Sequence, residues 1–404
     1  MVSRPRILIA GGGIGGLAAA LALQRAGFEP RVFEQAPRLQ PVGAGIQMSP
    51  NATRALVQLG CGEEHLRDVA VAPGALQVKS WRTGRCIFST PLGKRCLQDY
   101  GAPYYHVHRA DLHAVLLKAL GPEPLHLGAR CTGFVEEDGG VRVELEDGSR
   151  TWGDVLIGAD GIHSRIRTAA LGPEQPRFSG YMAFRAVIPA ERIQGLRLQR
   201  DLTSWWGPGR HFLHYFISGG RQLNYVAVVP TRTWHLESWS VEGSREELLS
   251  EFQGWHPVLQ ELIRATDRVF KWALYDRDPL PRWSSGRVTL LGDAAHPMLP
   301  FQAQGGAQAI EDAVVLASCL TRRAGRPQEA LVEYERLRKP RAHQVQMASR
   351  GSAQLFHLAR PLQVLERNTR LRLTQRFRPD VLAHRMDWLY EHDALAEAER
   401  VRGL

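Results

Sequence analysis

Residues 7–34 read ILIAGGGIGGLAAALALQRAGFEPRVFE, and this stretch decides the fold. A short apolar run meets five glycines within six residues, and an alanine-rich stretch with helical periodicity then follows and ends at Gly27. This order predicts a strand, a tight turn and a helix. Gly11, Gly13 and Gly16 occupy the G-x-G-x-x-G positions, which let the turn form, let the backbone approach a pyrophosphate and let helix and strand pack closely.

A second short strand over residues 31–33 ends in an acidic residue, Glu34. A carboxylate at this position accepts hydrogen bonds from a ribose diol. The pattern therefore predicts a site for an adenine dinucleotide and leaves FAD and NAD as alternatives. The residues predicted to form this half of the site are Gly11, Gly13, Ile14, Gly15, Gly16, Glu34 and Gln35.

The bulk composition of the 404 residues is that of an ordinary globular protein large enough for two domains. The apolar run near the start is too short for a signal peptide, and no apolar stretch is long enough to span a membrane. The five cysteines are scattered and lack metal-ligand spacing, so no metal site is expected. These features predict a cytoplasmic protein.

The formal charge of +10 is concentrated near the end of the chain. Residues 322–385 contain 15 Arg or Lys against 5 Asp or Glu. The segment has a helical pattern, and a solvated basic face is the expected explanation. A membrane surface is a less favoured partner, and nucleic acid is not expected because no nucleic-acid-binding motif accompanies the charge.

The remaining segments predict a sheet inserted between nucleotide-binding segments. Residues 125–158 have the pattern of a β-meander, and residues 176–276 are aromatic-rich alternating segments with a short helix near 244–264. An apolar strand returns at residues 288–291, and mostly helical sequence follows, with breaks expected at Pro340, Pro361 and Pro379. We therefore expect a discontinuous nucleotide-binding domain (1–175 and 277–330), a substrate domain (176–276) and a C-terminal helical region (331–404).

Three separated motifs resemble those of the single-component FAD-dependent aromatic hydroxylases, which share the fold of p-hydroxybenzoate hydroxylase. They are the glycine turn with its acidic residue, the segment GADGIHSRIR at 158–167, and GDAAHPMLPFQAQGG at 292–306. The positions that carry the second and third motifs are Asp160, Gly161, Ser164, Arg167, Gly292, Asp293, Pro300, Gln304, Gly305 and Gly306. Their order across about 300 residues makes coincidence improbable.

Finer matches resemble the salicylate hydroxylase-like branch, which includes hydroxynicotinate and hydroxybenzoate monooxygenases. These matches are PVGAGI at 41–46, SPNA at 49–52, Arg109 in HRADL, YDR at 275–277, and WLY at 388–390 with Asp393. One departure is that family members often have Gly-Gln-Gly where this chain has Ala303-Gln304-Gly305. The resemblance covers essentially the whole chain.

The resemblance implies an α/β fold with a Rossmann-like FAD-binding domain, an inserted antiparallel β-sheet substrate domain and C-terminal helices. It also implies a reaction in which NADH or NADPH visits transiently and reduces FAD. Oxygen then adds at the flavin C4a position, and the hydroperoxide hydroxylates a phenolic or N-heteroaromatic ring, with decarboxylation when the attacked carbon bears a carboxylate. Further FAD contacts are implied at Ala44, Gly45, Arg109, Asp160, Asp293, Pro300, Gly305 and Gly306.

The residues themselves favour FAD as well. Asp293 follows an apolar strand at a polar turn, where a carboxylate can bind a polyol hydroxyl. The helix predicted from Gly305 offers free N–H groups and a positive dipole end to an electron-rich flavin edge. Only one G-x-G-x-x-G is present, so no separate Rossmann domain is expected for the pyridine nucleotide.

Catalytic candidates lie in the inserted sheet. In HFLHY at 211–215, alternation puts His211 and Tyr215 on one face and His214 on the other, so each face carries a proton-active group. The resemblance to fungal relatives, which are assigned a functional arginine and tyrosine on this sheet, adds Arg185 for a carboxylate or developing charge and Tyr215 for the substrate hydroxyl. Gln47 and His106 are weaker pocket candidates for which a structural or flavin-contacting role is favoured, and His296 is predicted to be structural or to pack against the flavin.

Two other functions remain open from the sequence. The same flavin chemistry would serve an epoxidase or a tailoring enzyme for a quinolone, quinone-like or polyketide substrate, and the basic helices would suit work at a membrane surface. The expected partners are a small aromatic substrate and O2, and the chain is expected to be a monomer or homodimer.

Overall fold

The computed structural model describes residues 4–39, 43–231 and 241–400, so the first two residues of the PVGAGI segment lie outside it. The strands are β1 (Ile7–Ala10), β2 (Pro30–Glu34), β3 (Gly45–Met48), β4 (Ala75–Ser80), β5 (Cys86–Pro91), β6 (Tyr105–His108), β7 (Leu125–Leu127), β8 (Cys131–Glu137), β9 (Gly140–Leu145), β10 (Arg150–Gly153), β11 (Val155–Gly158), β12 (Arg177–Pro189), β13 (Leu202–Gly207), β14 (Arg210–Ile217), β15 (Gln222–Pro230), β16 (Val241–Gly243), β17 (Val269–Asp276), β18 (Ser284–Ser285) and β19 (Val288–Leu290).

The α-helices, separated by four short 3-10 turns, are α1 (Ile14–Arg25), α2 (Pro50–Gln58), α3 (Glu63–Leu66), α4 (Gly93–Tyr100), α5 (Arg109–Leu120), α6 (Arg165–Leu171), α7 (Arg245–Glu251), α8 (Pro257–Arg264), α9 (Gly305–Arg322), α10 (Pro327–Phe356), α11 (Pro361–Phe377), α12 (Pro379–Ala383), α13 (Asp387–Tyr390) and α14 (Ala394–Arg400). No helix in the described part of the chain is long and apolar enough to cross a bilayer.

A six-stranded sheet in the order β18-β19-β11-β1-β2-β7 contains the stretch that opened the sequence. The β1 strand pairs in parallel with β11 and β2, and all four of its residues are buried. A parallel sheet covered on both faces requires such continuous apolar strands. The predicted meander over 125–158 is correct only for β8, β9 and β10, because β7 and β11 join the parallel sheet.

An eight-stranded sheet in the order β16-β17-β12-β15-β14-β13-β4-β5 forms the second layer. Most of it lies within the expected substrate domain, but β4 and β5 come from residues 75–91, which the sequence placed with the nucleotide-binding segment. The β4 strand pairs in parallel with β13, with Leu76 opposite Leu202 and Val78 opposite Ser204. Helices α7 and α8 lie where one short helix was expected.

The C-terminal region departs from the prediction at Pro340. Helix α10 continues through this residue instead of breaking there, whereas Pro361 and Pro379 each occupy the first helical turn of α11 and α12. A proline removes one backbone hydrogen bond and crowds the preceding turn. Buried residues at helical spacing on both sides of Pro340, including Tyr334 and Ala342, hold the helix continuous.

Candidate active site

The glycine turn contains glycines of two kinds. Gly11 has φ +103°, and a Cβ there would collide with the Ala159 carbonyl; a Cβ on Gly16 would collide with the Gly11 carbonyl oxygen. Packing within the protein therefore requires these two glycines. A Cβ on Gly13 would meet no atom within 4 Å. The missing side chain at Gly13 thus leaves open space beside the turn, which fits the close approach of a pyrophosphate.

The acidic residue at the end of β2 is held beside this turn. Glu34 Oε2 accepts a hydrogen bond from the Gly12 amide at 2.8 Å, and Oε1 accepts one from the Ala36 amide at 2.8 Å. Further lone pairs remain on both oxygens for ribose hydroxyls. Gln35 is exposed next to it, and α1 begins at Ile14, so its first free amides point at the same space. Gly15 faces inward instead, because a Cβ there would lie 2.8 Å from Leu291.

The second motif has a structural role in addition to any contact with a cofactor. Asp160 accepts hydrogen bonds from Ser164 Oγ at 2.5 Å and from the Arg165 amide at 2.7 Å, and so caps α6. The buried Arg167 guanidinium donates to the Ala294 carbonyl at 3.0 Å, which ties this loop to the third motif. Desolvation, followed by the nearby Arg277, lowers the pKa of Arg167 to about 10.

A cavity of about 430 Å³ lies between the third motif and the eight-stranded sheet. Seven residues predicted to contact the cofactor line it: Ala44, Gly45, Arg109, Asp293, Pro300, Gly305 and Gly306. Three catalytic candidates, Arg185, His211 and Tyr215, line it as well. The structure therefore brings the two predicted groups of residues together around one space.

The cofactor side of the cavity is a loop with free backbone surface. A Cβ on Gly305 would meet only Asp293 Oδ1 at 3.7 Å, and a Cβ on Gly306 only Met48 at 3.6 Å. Burial raises the pKa of Asp293, against the opposing effect of nearby His296 and Arg109. Open glycine backbone, the first amides of α9 and a carboxylate for a polyol are the groups that a flavin needs. The residues present therefore fit FAD.

Side chains behind the loop hold it in place. Buried Gln304 donates to Ser49 Oγ at 2.8 Å and accepts from Asn51 Nδ2 at 3.0 Å, which explains the SPNA segment. His296 is fully buried, and its Nε2 lies 2.6 Å from Asp312 Oδ2. His296 does not line the cavity.

The opposite wall is one face of the eight-stranded sheet. Arg185, Val226, Leu213 and Ser204 lie opposite one another on successive strands, and all of them face the cavity. His214 does not: it points to the other face, where it is buried 6.4 Å from the ring of Trp205. Burial lowers its pKa to about 3, with a further contribution from Lys79. The structure thus separates His214 from the cavity and retains His211.

Tyr215 lies beside a buried amide. The Tyr104 hydroxyl donates to Gln47 Oε1 at 2.6 Å, which leaves the Gln47 NH2 group for the Tyr215 oxygen. Burial raises the pKa of Tyr215 more than this contact lowers it. Gln47 lines the cavity, whereas His106 lies behind Tyr215 with ring centroids 4.4 Å apart. The Tyr215 hydroxyl therefore stays protonated beside the cavity.

Arg185 gives the wall a positive charge. Its guanidinium lies 5.0 Å from the centre of the Trp272 ring, and burial, followed by the nearby Arg109, lowers its pKa. Among the described residues that line the cavity, Asp293 is the only one with a carboxylate. A partly desolvated guanidinium in such surroundings attracts an anionic group.

Two features near the cavity come from the C-terminal part of the chain, and only one of them has a sequence signal. His211 Nδ1 lies 2.7 Å from Nε2 of His357, which caps the end of α10, 146 residues along the chain. The C-terminal segment also contributes Arg385 and Tyr390 to the cavity. The WLY resemblance pointed to Tyr390, but no local pattern marks His357, because only the tertiary fold brings it to β14.

Comparisons with known proteins agree with this arrangement. A family described as FAD binding domain matches residues 4–349. The chain is 42% identical over 399 residues to the 3-amino-4-hydroxybenzoate 2-monooxygenase of Streptomyces cremeus, covering 98% of this chain and 97% of that protein. It is 42% identical over 358 residues to the 6-hydroxynicotinate 3-monooxygenase of Pseudomonas fluorescens, covering 88% and 93%. A solved salicylate hydroxylase substrate complex superposes with a TM-score of 0.83 at 29% identity, covering 99% and 98%.

Proposed function

The chain belongs to the FAD-dependent aromatic hydroxylases, and from this premise we propose that its substrate is a small aromatic acid with a ring hydroxyl, of the hydroxybenzoate or hydroxynicotinate class. The enzyme uses FAD and NAD(P)H. Reduced FAD supplies the activated oxygen, and the protein must bind, orient and dehydrate the ring. The observation that carries the proposal is the single cavity that joins the glycine loop to a wall bearing Arg185, Tyr215 and His211.

Arg185 is proposed to bind the substrate carboxylate. Arg185 lines the cavity beside Val226, its partner on the neighbouring strand, and its guanidinium lies over the Trp272 ring. A charge-assisted pair between guanidinium and carboxylate is strong when both groups are partly desolvated. The carboxylate would thereby fix the orientation of the ring. When the attacked carbon itself carries the carboxylate, hydroxylation releases CO2.

Tyr215 is proposed to stabilise the ionised substrate hydroxyl. Gln47 donates a hydrogen bond to the Tyr215 oxygen, so the Tyr215 hydroxyl hydrogen is available to a substrate oxygen in the cavity. A hydrogen bond from a group that stays protonated favours the phenolate form of the substrate. A phenolate ring is more nucleophilic towards the incoming oxygen atom, so this contact would raise the rate of the chemical step.

The test is substrate-stimulated oxidation of NADH or NADPH with 3-amino-4-hydroxybenzoate, 6-hydroxynicotinate and salicylate. At least one acid should stimulate oxidation and yield a product heavier by one oxygen, or by one oxygen with CO2 lost. Arg185→Met should raise KM for that acid about 30-fold or more but leave KM for the matching carboxamide unchanged. Tyr215→Phe should lower kcat about 10- to 100-fold. No response to any acid, with flavin bound, would contradict the proposal.

Tyr225→Phe is the matched control for the second variant. Tyr225 lies on the neighbouring strand, is buried on the opposite face of the sheet and lies 3.1 Å from Thr266 Oγ1. The Tyr225→Phe variant loses a tyrosine hydroxyl from the same sheet, but the cavity wall is unchanged. Its kcat should remain within about two-fold of the wild-type value, because the proposed contact is made by Tyr215 alone.

A second candidate is oxygenation of a lipophilic quinolone, quinone-like or polyketide substrate at a membrane surface, either by hydroxylation or by epoxidation. Helix α11 favours it, because four apolar side chains on its outward face are largely exposed: Leu362 (80%), Leu365 (62%), Leu373 (51%) and Phe377 (71%). Arg370, Arg372 and Arg376 lie among them. Apolar residues flanked by arginine suit an anionic bilayer.

Co-sedimentation with phosphatidylglycerol vesicles tests this second candidate. Binding at low salt that is lost at about 0.5 M salt would support it, because exposed charges are screened at that ionic strength. Leu362→Asn combined with Phe377→Gln should weaken the binding. Absence of binding by the wild-type protein at low salt would contradict it.

A further inference from the structure

We propose that the cavity continues past the substrate ring as an apolar arm, and that this arm binds an apolar substituent that the ring carries on the side away from its carboxylate. The arm lies over strands β13, β4 and β5 and is lined by Leu76, Val78, Phe88, Trp206, Leu382 and Met386. The inference rests on the proposed function for the place of the carboxylate and the ring. It narrows the substrate class to hydroxylated aromatic acids that carry an alkyl chain or a second ring.

A single row of residues crosses the sheet under the whole cavity. Residues that lie opposite one another on six neighbouring strands, from β12 to β5, all line the cavity: Arg185, Val226, Leu213, Ser204, Val78 and Phe88. Neighbouring strands are about 4.8 Å apart, so the five spacings give the row a length of roughly 24 Å. The cavity wall is therefore longer than a hydroxybenzoate alone requires.

The proposed contacts place the ring at one end of this row. Arg185 is on β12, and Tyr215 is on β14, two strands away in the sheet. A ring with its carboxylate at Arg185 and its hydroxyl at Tyr215 lies over β15 and β14, beside Val226 and Leu213. The other half of the row, from β13 to β5, then lies beyond the ring, on the side away from the carboxylate.

The C-terminal helices cover this far half of the row. Val78, Phe88, Trp206 and Leu382 belong to one hydrophobic cluster, which joins β4, β5 and β13 to α12. Between ring centroids, Trp206 lies 5.9 Å from Phe88 and 4.8 Å from Phe356 at the end of α10. The arm thus has a floor of β-sheet and a roof of helices, and both surfaces are apolar.

Two polar groups at this end of the cavity are already bonded within the protein. Trp206 Nε1 donates to Ser204 Oγ at 2.9 Å, and Arg95 Nε donates to Asp99 Oδ2 at 2.7 Å. Arg385 also lines the cavity and is exposed, which indicates that the arm opens to solvent there. A polar substituent would lose its water without gaining a partner from the bonded groups, whereas burial favours an apolar substituent.

Calorimetric titration of the FAD-bound enzyme, without NADH or NADPH, tests the arm independently of turnover. The ligands are salicylate and 3-hydroxybenzoate, each with hydrogen, methyl, propyl or pentyl para to the carboxylate. Kd should fall about two- to four-fold for each carbon added, so the pentyl acids should bind at least about 30-fold more tightly than the parent acids. Isomers with propyl on the ring carbon next to the carboxylate should show no gain, because that side faces Arg185. Equal Kd values along the para series would overturn the proposal.

Val78→Phe narrows the arm. Its readout is the ratio of the Kd values for the parent and pentyl acids, because partial loss of folded protein does not change this ratio. The ratio should drop below about three-fold in Val78→Phe, and Val78→Leu, which adds one methylene, should reduce it by an intermediate amount. Retention of the full ratio in both variants would overturn the proposal.

Lys79→Met is the matched control for these variants. Lys79 is the next residue of β4, lies over the Trp205 ring and does not line the cavity. The ratio of the two Kd values should therefore be retained in Lys79→Met. A loss of the ratio equal to that in Val78→Phe would show that any change in β4 removes the gain, and would overturn the assignment of the arm.

Product analysis separates this inference from the proposed function. If the parent acids are oxygenated and the alkyl chain brings no gain in affinity, the assignment of the arm fails and the proposed function stands. If the chain brings a gain that Val78→Phe abolishes but no acid is oxygenated, the proposed function fails and the arm stands. If no acid of either series binds, both fail.

Discussion

At the scale of single residues, a substitution at Gly13 is expected to weaken FAD binding without preventing folding. No protein atom lies within 4 Å of a Cβ built on it, so a larger side chain would occupy only the space meant for a pyrophosphate. Gly13→Val should therefore yield folded protein with FAD affinity reduced at least about 100-fold. Flavin content after gel filtration and the circular dichroism of the apoprotein measure the two effects. Full flavin occupancy in this variant would contradict the placement of the cofactor.

Gly16 is the matched control, because its role is internal packing. A Cβ at Gly16 would collide with the Gly11 carbonyl oxygen, so helix and strand would have to separate. Gly16→Ala should lower the yield of soluble protein and the thermal midpoint of whatever is recovered, in contrast to Gly13→Val. Equal stability of the two variants would show that the two glycines do not differ as the packing indicates.

Ala303 occupies a backbone conformation that favours glycine. It has φ +53° and ψ 37° in the turn before α9, at the position where family members often have glycine. Ala303→Gly should change the free energy of unfolding by less than about 0.5 kcal/mol, because relief of the left-handed strain and the added entropy of the unfolded chain oppose each other. Ala303→Val should destabilise by about 1–2 kcal/mol. Urea unfolding with FAD bound measures both values.

At the scale of elements, α10 stays helical through Pro340 because the packing of its buried face outweighs the helix-breaking effect of the proline. Pro340 is exposed within the 30-residue helix, so its substitution leaves the packed face unchanged. Pro340→Ala restores a backbone donor and removes the clash with the preceding turn, and should raise the free energy of unfolding by about 1–3 kcal/mol. A lowered thermal midpoint would contradict this account and would imply that the helix is bent to serve the cavity wall.

A buried charge cluster joins α9 to α10. Arg338 donates to Glu311 at 2.7 Å and to Asp312 at 2.8 Å, and all three side chains are buried. Arg338→Met removes a charged partner from both buried carboxylates, although Glu311 keeps Arg341 and Asp312 keeps His296, and should destabilise the protein by about 3–5 kcal/mol. Adding Glu311→Gln and Asp312→Asn should recover part of this loss. Urea midpoints at pH 7 measure the series.

The same cluster sets a pH dependence of stability. Although burial alone raises the pKa of Glu311, Arg338 and Arg341 lower it to about 2 from 4.5. A carboxyl group whose pKa is lowered by folding stabilises the protein above its unfolded value and loses that contribution as pH falls. Wild type should therefore lose more stability than Glu311→Gln between pH 4.5 and pH 2. Parallel unfolding curves for the two proteins over this range would contradict the ion pairing.

Local pattern explains which elements the sequence could predict. The glycine turn, β1, α1 and the loop into α9 depend on neighbouring residues, so their periodicity and turn chemistry were sufficient. The placement of β4 beside β13 and the continuity of α10 depend on partners far along the chain, which periodicity does not contain. The FAD side of the site is built from the locally determined elements, so the sequence could predict it. The position of His357 and the choice of His211 over His214 depend on contacts between distant segments, so the sequence could not predict them.

At the scale of the whole molecule, the net charge of +10 and the arginines of the cavity wall both attract an anionic substrate. Arg95, Arg109, Arg185 and Arg385 line the cavity, and Asp293 is the only carboxylate among its described lining residues. A positive field focused into a cleft speeds the arrival of an anion, and salt screens it. With NADH or NADPH saturating, kcat/KM for the accepted aromatic acid should fall several-fold between about 20 mM and 0.5 M salt.

The neutral carboxamide of the same acid is the control, because it has the same ring and no charge. Its kcat/KM should stay nearly constant over the same range of salt, since only the anion is steered. Arg185→Met should reduce the salt dependence for the acid towards that of the amide, because it removes a lining charge without altering the net charge of the surface by more than one. Equal salt dependence for acid and amide would place the effect on the flavin or the pyridine nucleotide rather than on substrate entry, and would contradict an anionic substrate.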